Sequence, residues 1–171
     1  GIYWASVCSE IIDEDLIKMA CASEYYCGNI CEVDEQSGYD MAQGLYDAGC
    51  RNIAYVAPTA GMNVCHDERV RGIERFLADH PDMNLVTSYR GYPFATGVQE
   101  LLAAYPDIDG LMSTAGDTSI TAAIYAAGMD KTCKYACVDI QDGVYDQLKD
   151  GMCVWVAGGQ YPTAQLGFAL V

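Results

Sequence analysis

Arg69, Tyr89, Arg90, Tyr92, Asp117, Asp139, Asp142 and Gln160 are the side chains whose chemistry could converge on one small polar solute. Carboxylate and amide oxygens accept hydrogen bonds from vicinal hydroxyls. Arg donates a rigid fork to hydroxyl or carboxylate oxygens, and Tyr ring faces pack on the C–H surface of a sugar. Each residue also has a plain structural use. Asp117 ahead of Thr118-Ser119 fits an N-cap, and Asp142 is assigned to a helix cap. Asp139 follows an apolar run and precedes a helix, so a turn competes with ligand contact. Arg69 can pair with Asp67 or Glu68 on a solvated helix face. Tyr92 beside Pro93 can pack a loop, and Gln160 stands just before Pro162.

Catalytic signatures are missing from the sequence. No G-x-G-x-x-G or Walker pattern opens a helix, and G-x-S-x-G is absent. Cys65-His66 places a thiol beside an imidazole, but adjacency in a loop is all that suggests a nucleophile there. Asp117 and Asp139 could evoke a metal-dependent phosphotransfer site. No Asp-x-Asp pair ends the first strand, however, and no Lys follows a later one in the usual arrangement. Cys27/Cys31 and Cys133/Cys137 are spaced C-x3-C, there is no C-x2-C, and His66 and His80 are the only imidazoles. Those spacings do not converge on a zinc ligand set. The nine cysteines are read as free thiols, with Cys21, Cys50, Cys133, Cys137 and Cys153 inside apolar patterns. No metal, no cofactor and no enzymatic activity are expected.

The elements that must hold these residues follow one rhythm. The strand Asn52–Ala57 leads into a Pro-Gly loop, then a helix through Val70, Ile73, Phe76 and Leu77 that stops at Pro81. Strands follow at 85–87, 110–113, 135–138 and 153–156. Between them lie a helix face at Val98, Leu101 and Leu102, a helix over about 118–127 closed by Gly128, and a short one ending at Gly151. Upstream, a strand at 29–33 leads into a helix over 38–48 capped by Gly49. Alternation of this kind implies an α/β fold: a doubly wound, mainly parallel sheet with helices on both faces. In such sheets ligands lie beyond the carboxyl ends of the strands, here the loops 58–66, 89–95, 114–117, 139–142 and 157–161.

Composition narrows the partners. The chain has 171 residues, 51% apolar and 19% charged, with a net charge of −15. That is enough apolar chain for a real core, and a pI near 4.1 argues against nucleic acid and anionic membranes. Residues 1–50 hold ten acids against Lys18 alone, which reads as a solvated acidic face.

The order of segments resembles the C-terminal lobe of type I periplasmic, sugar-type solute-binding proteins of ABC transporters, a fold shared with lactose-repressor-type effector domains. Gly1–Val7 looks like the last strand of the N-terminal lobe, and Asp34-Glu-Gln-Ser-Gly38 with Ala42, Leu45 and Gly49 looks like the helix entering the second lobe. Arg51–Val56 and Arg69-Val-Arg-Gly-Ile73 are similar to the family's first strand and its R-x-x-G-F helix. Tyr105-Pro-Asp-Ile-Asp-Gly-Leu111 through Gly128 follows, then Val138-Asp139, Leu148-Lys-Asp-Gly151 and Gln160-Tyr-Pro162 with Gly167. The resemblance puts Arg69, Tyr92, Asp117, Asp139 and Gln160 at or beside ligand contacts. Gly116 stands where an Asn is common, and Cys8-Ser9 where an Asp-Arg pair is common, so a standard pentose or hexose is not implied.

These readings set the expectations. Residues 1–9 belong to the last strand of, or the crossover from, an absent N-terminal lobe, and 10–171 form the ligand-binding lobe, cut at its C-terminal end. The function implied is the solute-binding component of an ABC-type uptake system for a sugar or similar solute. Its permease would be a partner in the full-length protein, and the exposed cleft face could pair two copies. The location implied is extracytoplasmic, as a periplasmic protein or lipoprotein. The alternative is the effector-binding domain of a cytoplasmic lactose-repressor-type regulator.

Overall fold

A computed structural model describes the backbone of residues 1–171 and every side chain except those of Gln160 and Tyr161. The chain divides into two units, Gly1–Val33 with Gly158–Val171, and Asp34–Ala157.

In the larger unit, the strands β3 (Asn52–Ala57), β4 (Asn84–Arg90), β5 (Gly110–Ser113), β6 (Lys134–Val138) and β7 (Cys153–Ala157) form one parallel sheet in the order β4-β3-β5-β6-β7. The pleat sends successive side chains to opposite faces. Ile53, Tyr55 and Ala57 thus enter one core with Met112 and Ala136. Ala54 and Val56 enter the other with Leu111, Tyr135 and Cys137. The helices α2 (Asp34–Asp47) and α3 (Val64–Asp79) close the first core, with Met41, Leu45, Ile73 and Phe76. The helices α4 (Phe94–Ala104), α5 (Thr118–Ala126) and α6 (Val144–Lys149) close the second. This is the doubly wound parallel sheet expected. Chain order reverses between β3 and β5, which makes their carboxyl ends the switch point.

The helices α2 and α3 approach closely because neither has a side chain at the crossing. A Cβ on Gly38 would fall on the Arg69 carbonyl oxygen, and one on Gly72 on that of Glu35. The crossing brings the first residue of α2, Asp34, to the second turn of α3. The helix α2 begins four residues ahead of the expected start at 38, on a polar first turn.

The smaller unit holds two parallel strands, β1 (Trp4–Val7) and β2 (Tyr26–Ile30), paired Trp4 to Tyr26, Ser6 to Asn29 and Val7 to Ile30. Between them runs α1 (Glu14–Cys21), which was not expected. Asp13 caps it, accepting the amides of Asp15 and Leu16 at 3.0 and 2.9 Å. The helix α7 (Gln160–Leu170) packs on both strands, with Gly167 against Val7. No helix among the described residues is long and apolar enough to cross a membrane.

Candidate functional site

The carboxyl ends of the five-stranded sheet gather a polar network on an apolar base. Its centre is Arg69 on α3, only 5% exposed. Nε and Nη2 both donate to Asp34 Oδ1 at 2.7 Å, and Nη1 donates to the Thr114 carbonyl at 2.7 Å. Arg69 therefore ties the start of α2 to the loop after β5. The guanidinium is thus held by partners from two other segments of this unit. It pairs with neither Asp67 nor Glu68. Asp67 instead meets Arg90 at the end of β4 and accepts the Gly61 amide at 2.8 Å. Burial raises the Asp67 carboxyl, but Arg90 and the Gly61 amide outweigh it and hold the group below the usual carboxylate range.

Thr114 carries a second interaction. Its hydroxyl lies 2.9 Å from Nδ1 of His66, in the first turn of α3. Burial and the Arg69 charge push the imidazole below its ordinary value, against the opposing pull of Asp139. Cys65 beside it is no activated nucleophile. Its Sγ donates to Asn63 Oδ1 at 3.1 Å, and burial pushes its thiol up.

The loops after β5 and β6 are in direct contact. A Cβ on Gly116 would lie 2.6 Å from the Asp139 carbonyl oxygen and 3.1 Å from its Cβ. No side chain fits at 116 without moving backbone, which explains the absence of an Asn there. Asp139 sits at φ 77, a left-handed conformation uncommon outside Gly but tolerated by Asp. Its amide donates to the Ala157 carbonyl at 2.7 Å, which fastens the turn to the end of β7. Both the turn role and the strand-end position foreseen for Asp139 are present.

The remaining expected residues divide. Asp117 caps α5, its Oδ1 accepting the Ser119 amide at 2.8 Å. Tyr92 follows β4, is 57% exposed as a residue, and tilts its ring against Phe94 at 4.5 Å between centroids. Asp142 is not a cap: Gly143 holds the cap position of α6 at φ 80, no side chain caps it, and Asp142 is exposed. Gln160 opens α7 in the other unit, and its side chain lies outside the described residues. Sequence reasoning overlooked Asp34, Thr114 and Gln141. The amide atoms of Gln141 are buried on the loop after β6 without a hydrogen-bond partner.

Among the described residues no three His, Cys, Asp or Glu side chains are grouped as a metal would require. None of the nine cysteines is in a disulfide. Cys50, Cys133, Cys137 and Cys153 are buried as expected, and burial pushes the Cys50 and Cys133 thiols up to about 11 and about 12. Cys21 is exposed, because α1 buries only Ala20.

Neither a protein-family model nor a curated protein matches the chain. Solved structures do match. An ABC-type sugar transport system periplasmic component from Hahella chejuensis superposes at TM-score 0.76 with 22% identity, over 97% of this chain and 62% of that one. An ABC transporter solute-binding protein from Agrobacterium vitis, with bound D-fucose, gives TM-score 0.78 and 18% identity over 97% and 57%. A periplasmic solute-binding protein from Actinobacillus succinogenes, with bound D-allose, gives 0.76 and 18% over 97% and 59%. The chain spans less than two thirds of the length of each. Its fold is that of type I periplasmic binding proteins.

Proposed function

We propose that Asp34–Ala157 forms one wall of a sugar-binding cleft, in the solute receptor of an ABC uptake system that works outside the cytoplasm. The observation that carries this reading is the Asp139 turn, braced against Gly116 and Ala157 at the carboxyl end of β6. The turn lies beside the switch point of a sheet whose fold is shared with sugar-bound receptors.

In this reading each side chain has a role. The Asp139 carboxylate accepts hydrogen bonds from vicinal hydroxyls. Asp117 spends Oδ1 on its helix and offers Oδ2 to the solute. The exposed ring of Tyr92 supplies a face for the apolar side of a pyranose. Gln160 is retained as a hydrogen-bonding partner from the family resemblance alone. Arg69 and Thr114 hold the loops in place. The mechanism is hinge closure of two lobes around the solute, with no bond made or broken in it. An ABC permease would take the solute from the closed receptor.

Calorimetry on the two-lobe receptor, with a panel of aldohexoses and their 6-deoxy forms, tests the assignment. Asp139→Asn keeps a residue that accepts left-handed backbone while removing the charge. It should weaken binding by about 1.5–3 kcal/mol, the range for hydrogen bonds to a charged group. Asp142→Ala should leave affinity unchanged. Equal effects from the two variants would place the site elsewhere.

A further inference from the structure

A cysteine follows the last registered pair on each of the strands β1 and β2. Val7 pairs with Ile30, and the next residue on each strand is Cys8 and Cys31. The Cys8 amide still donates to the Ile30 carbonyl at 2.9 Å, so the ladder runs up to this pair before the chain leaves it at φ 67. Neighbouring strands lie about 4.8 Å apart, and a disulfide bridges Cα atoms about 4.4–6.8 Å apart. Both residues are half-exposed, and the Cys31 thiol donates to Glu10 Oε1 at 3.4 Å. The other thiols of this unit are less well placed. Cys27 lies four residues earlier on the same strand as Cys31, about 13 Å away, and Cys21 is on α1.

We infer that Cys8 and Cys31 are a reversible redox pair, closed to an intramolecular disulfide by exchange with a small-molecule disulfide and reopened by a thiol. One cysteine thiolate attacks the small disulfide, forms a mixed disulfide and expels one thiolate, which takes up the proton released. The second cysteine attacks the sulfur of the first, forms the Cys8–Cys31 bond and expels the second thiolate with its proton. The chain loses two electrons and two protons, and one small disulfide becomes two thiols. The bridge closes a loop containing α1 and locks the carboxyl ends of β1 and β2 together.

The test is oxidation of the folded chain with oxidised glutathione, alkylation of the remaining thiols, and peptide mapping after trypsin. Cleavage at Lys18 and Arg51 releases a peptide 1–18 that contains Cys8 as its only cysteine. It should be recovered joined to 19–51, two hydrogens lighter than the separate peptides, and be released by dithiothreitol. Cys8→Ser and Cys31→Ser should each abolish the joined species, while Cys21→Ser and Cys27→Ser should retain it. Recovery of 1–18 alkylated, carrying only glutathione, or joined through Cys21, Cys27 or Cys50 overturns the assignment. The wild-type map decides this without relying on any variant to fold.

Discussion

His66 shows how much a single side chain in this site depends on its surroundings. The folded chain holds its imidazole below the ordinary value of 6.5, through burial first and the Arg69 charge second. The unfolded chain therefore binds the proton more readily, and protonation favours unfolding. Stability from His66 is complete above about pH 6.5 and declines as pH falls from there toward the folded-state value. The expected outcome is a larger fall in Tm for the wild type than for His66→Asn on acidification from about pH 7.5 to about pH 5.5. Parallel melting curves would remove His66 from the account. At this scale the sequence was partly legible. Asp139 and Gly116 stand out because the strand-end rule selects the first and a departure from the family pattern marks the second. His66, Thr114 and Asp34 do not stand out, since their meaning lies in contacts between segments 35 to 48 residues apart. Asp142 failed as a cap because a left-handed glycine follows it and takes the cap position.

Elements were easier to read than sites, and the reason is burial. The inner strands β3, β5 and β6 are short, largely apolar runs covered on both faces, and left-handed glycines at 49, 128 and 151 punctuate the helices. The helix α1 escaped notice because its capping Asp13, Glu14 and Asp15 read as solvated charge and only Ala20 is buried. The start of α2 escaped for a similar reason, its first turn being Asp34-Glu-Gln-Ser. That turn is held by the Asp34–Arg69 pair, which joins α2 and α3 below the site. Arg69→Met leaves a carboxylate only 8% exposed without this cation and deprives the Thr114 carbonyl of its donor. Urea unfolding should show a loss of about 3–5 kcal/mol, as for other buried pairs broken on one side. Arg69→Met with Asp34→Leu should recover most of it. No recovery in the double variant would mean that the two groups do not act as a pair.

For the whole molecule, the proposed receptor predicts a deficit. If the cleft has two walls, the isolated chain lacks the hydrogen bonds that the facing wall supplies. Three or four bonds at about 0.5–1.5 kcal/mol each amount to about 1.5–6 kcal/mol, or about tenfold to more than 10⁴-fold in affinity. Calorimetry should find the isolated 171-residue chain binding its sugar at millimolar strength or worse, against a far tighter two-lobe receptor. Matching affinities would show that the chain already holds the complete site. The clamp made by Arg69 also has a consequence in time. Its partners lie 35 and 45 residues away along the chain, so long loops must close before it can form. Contacts of such span tend to form late, after the sheet they join has begun to assemble. Substituting Arg69 should therefore accelerate unfolding and leave the refolding rate nearly untouched, with a φ-value of about 0–0.3. A nascent chain would acquire its layered body first and the clamp at the strand ends last.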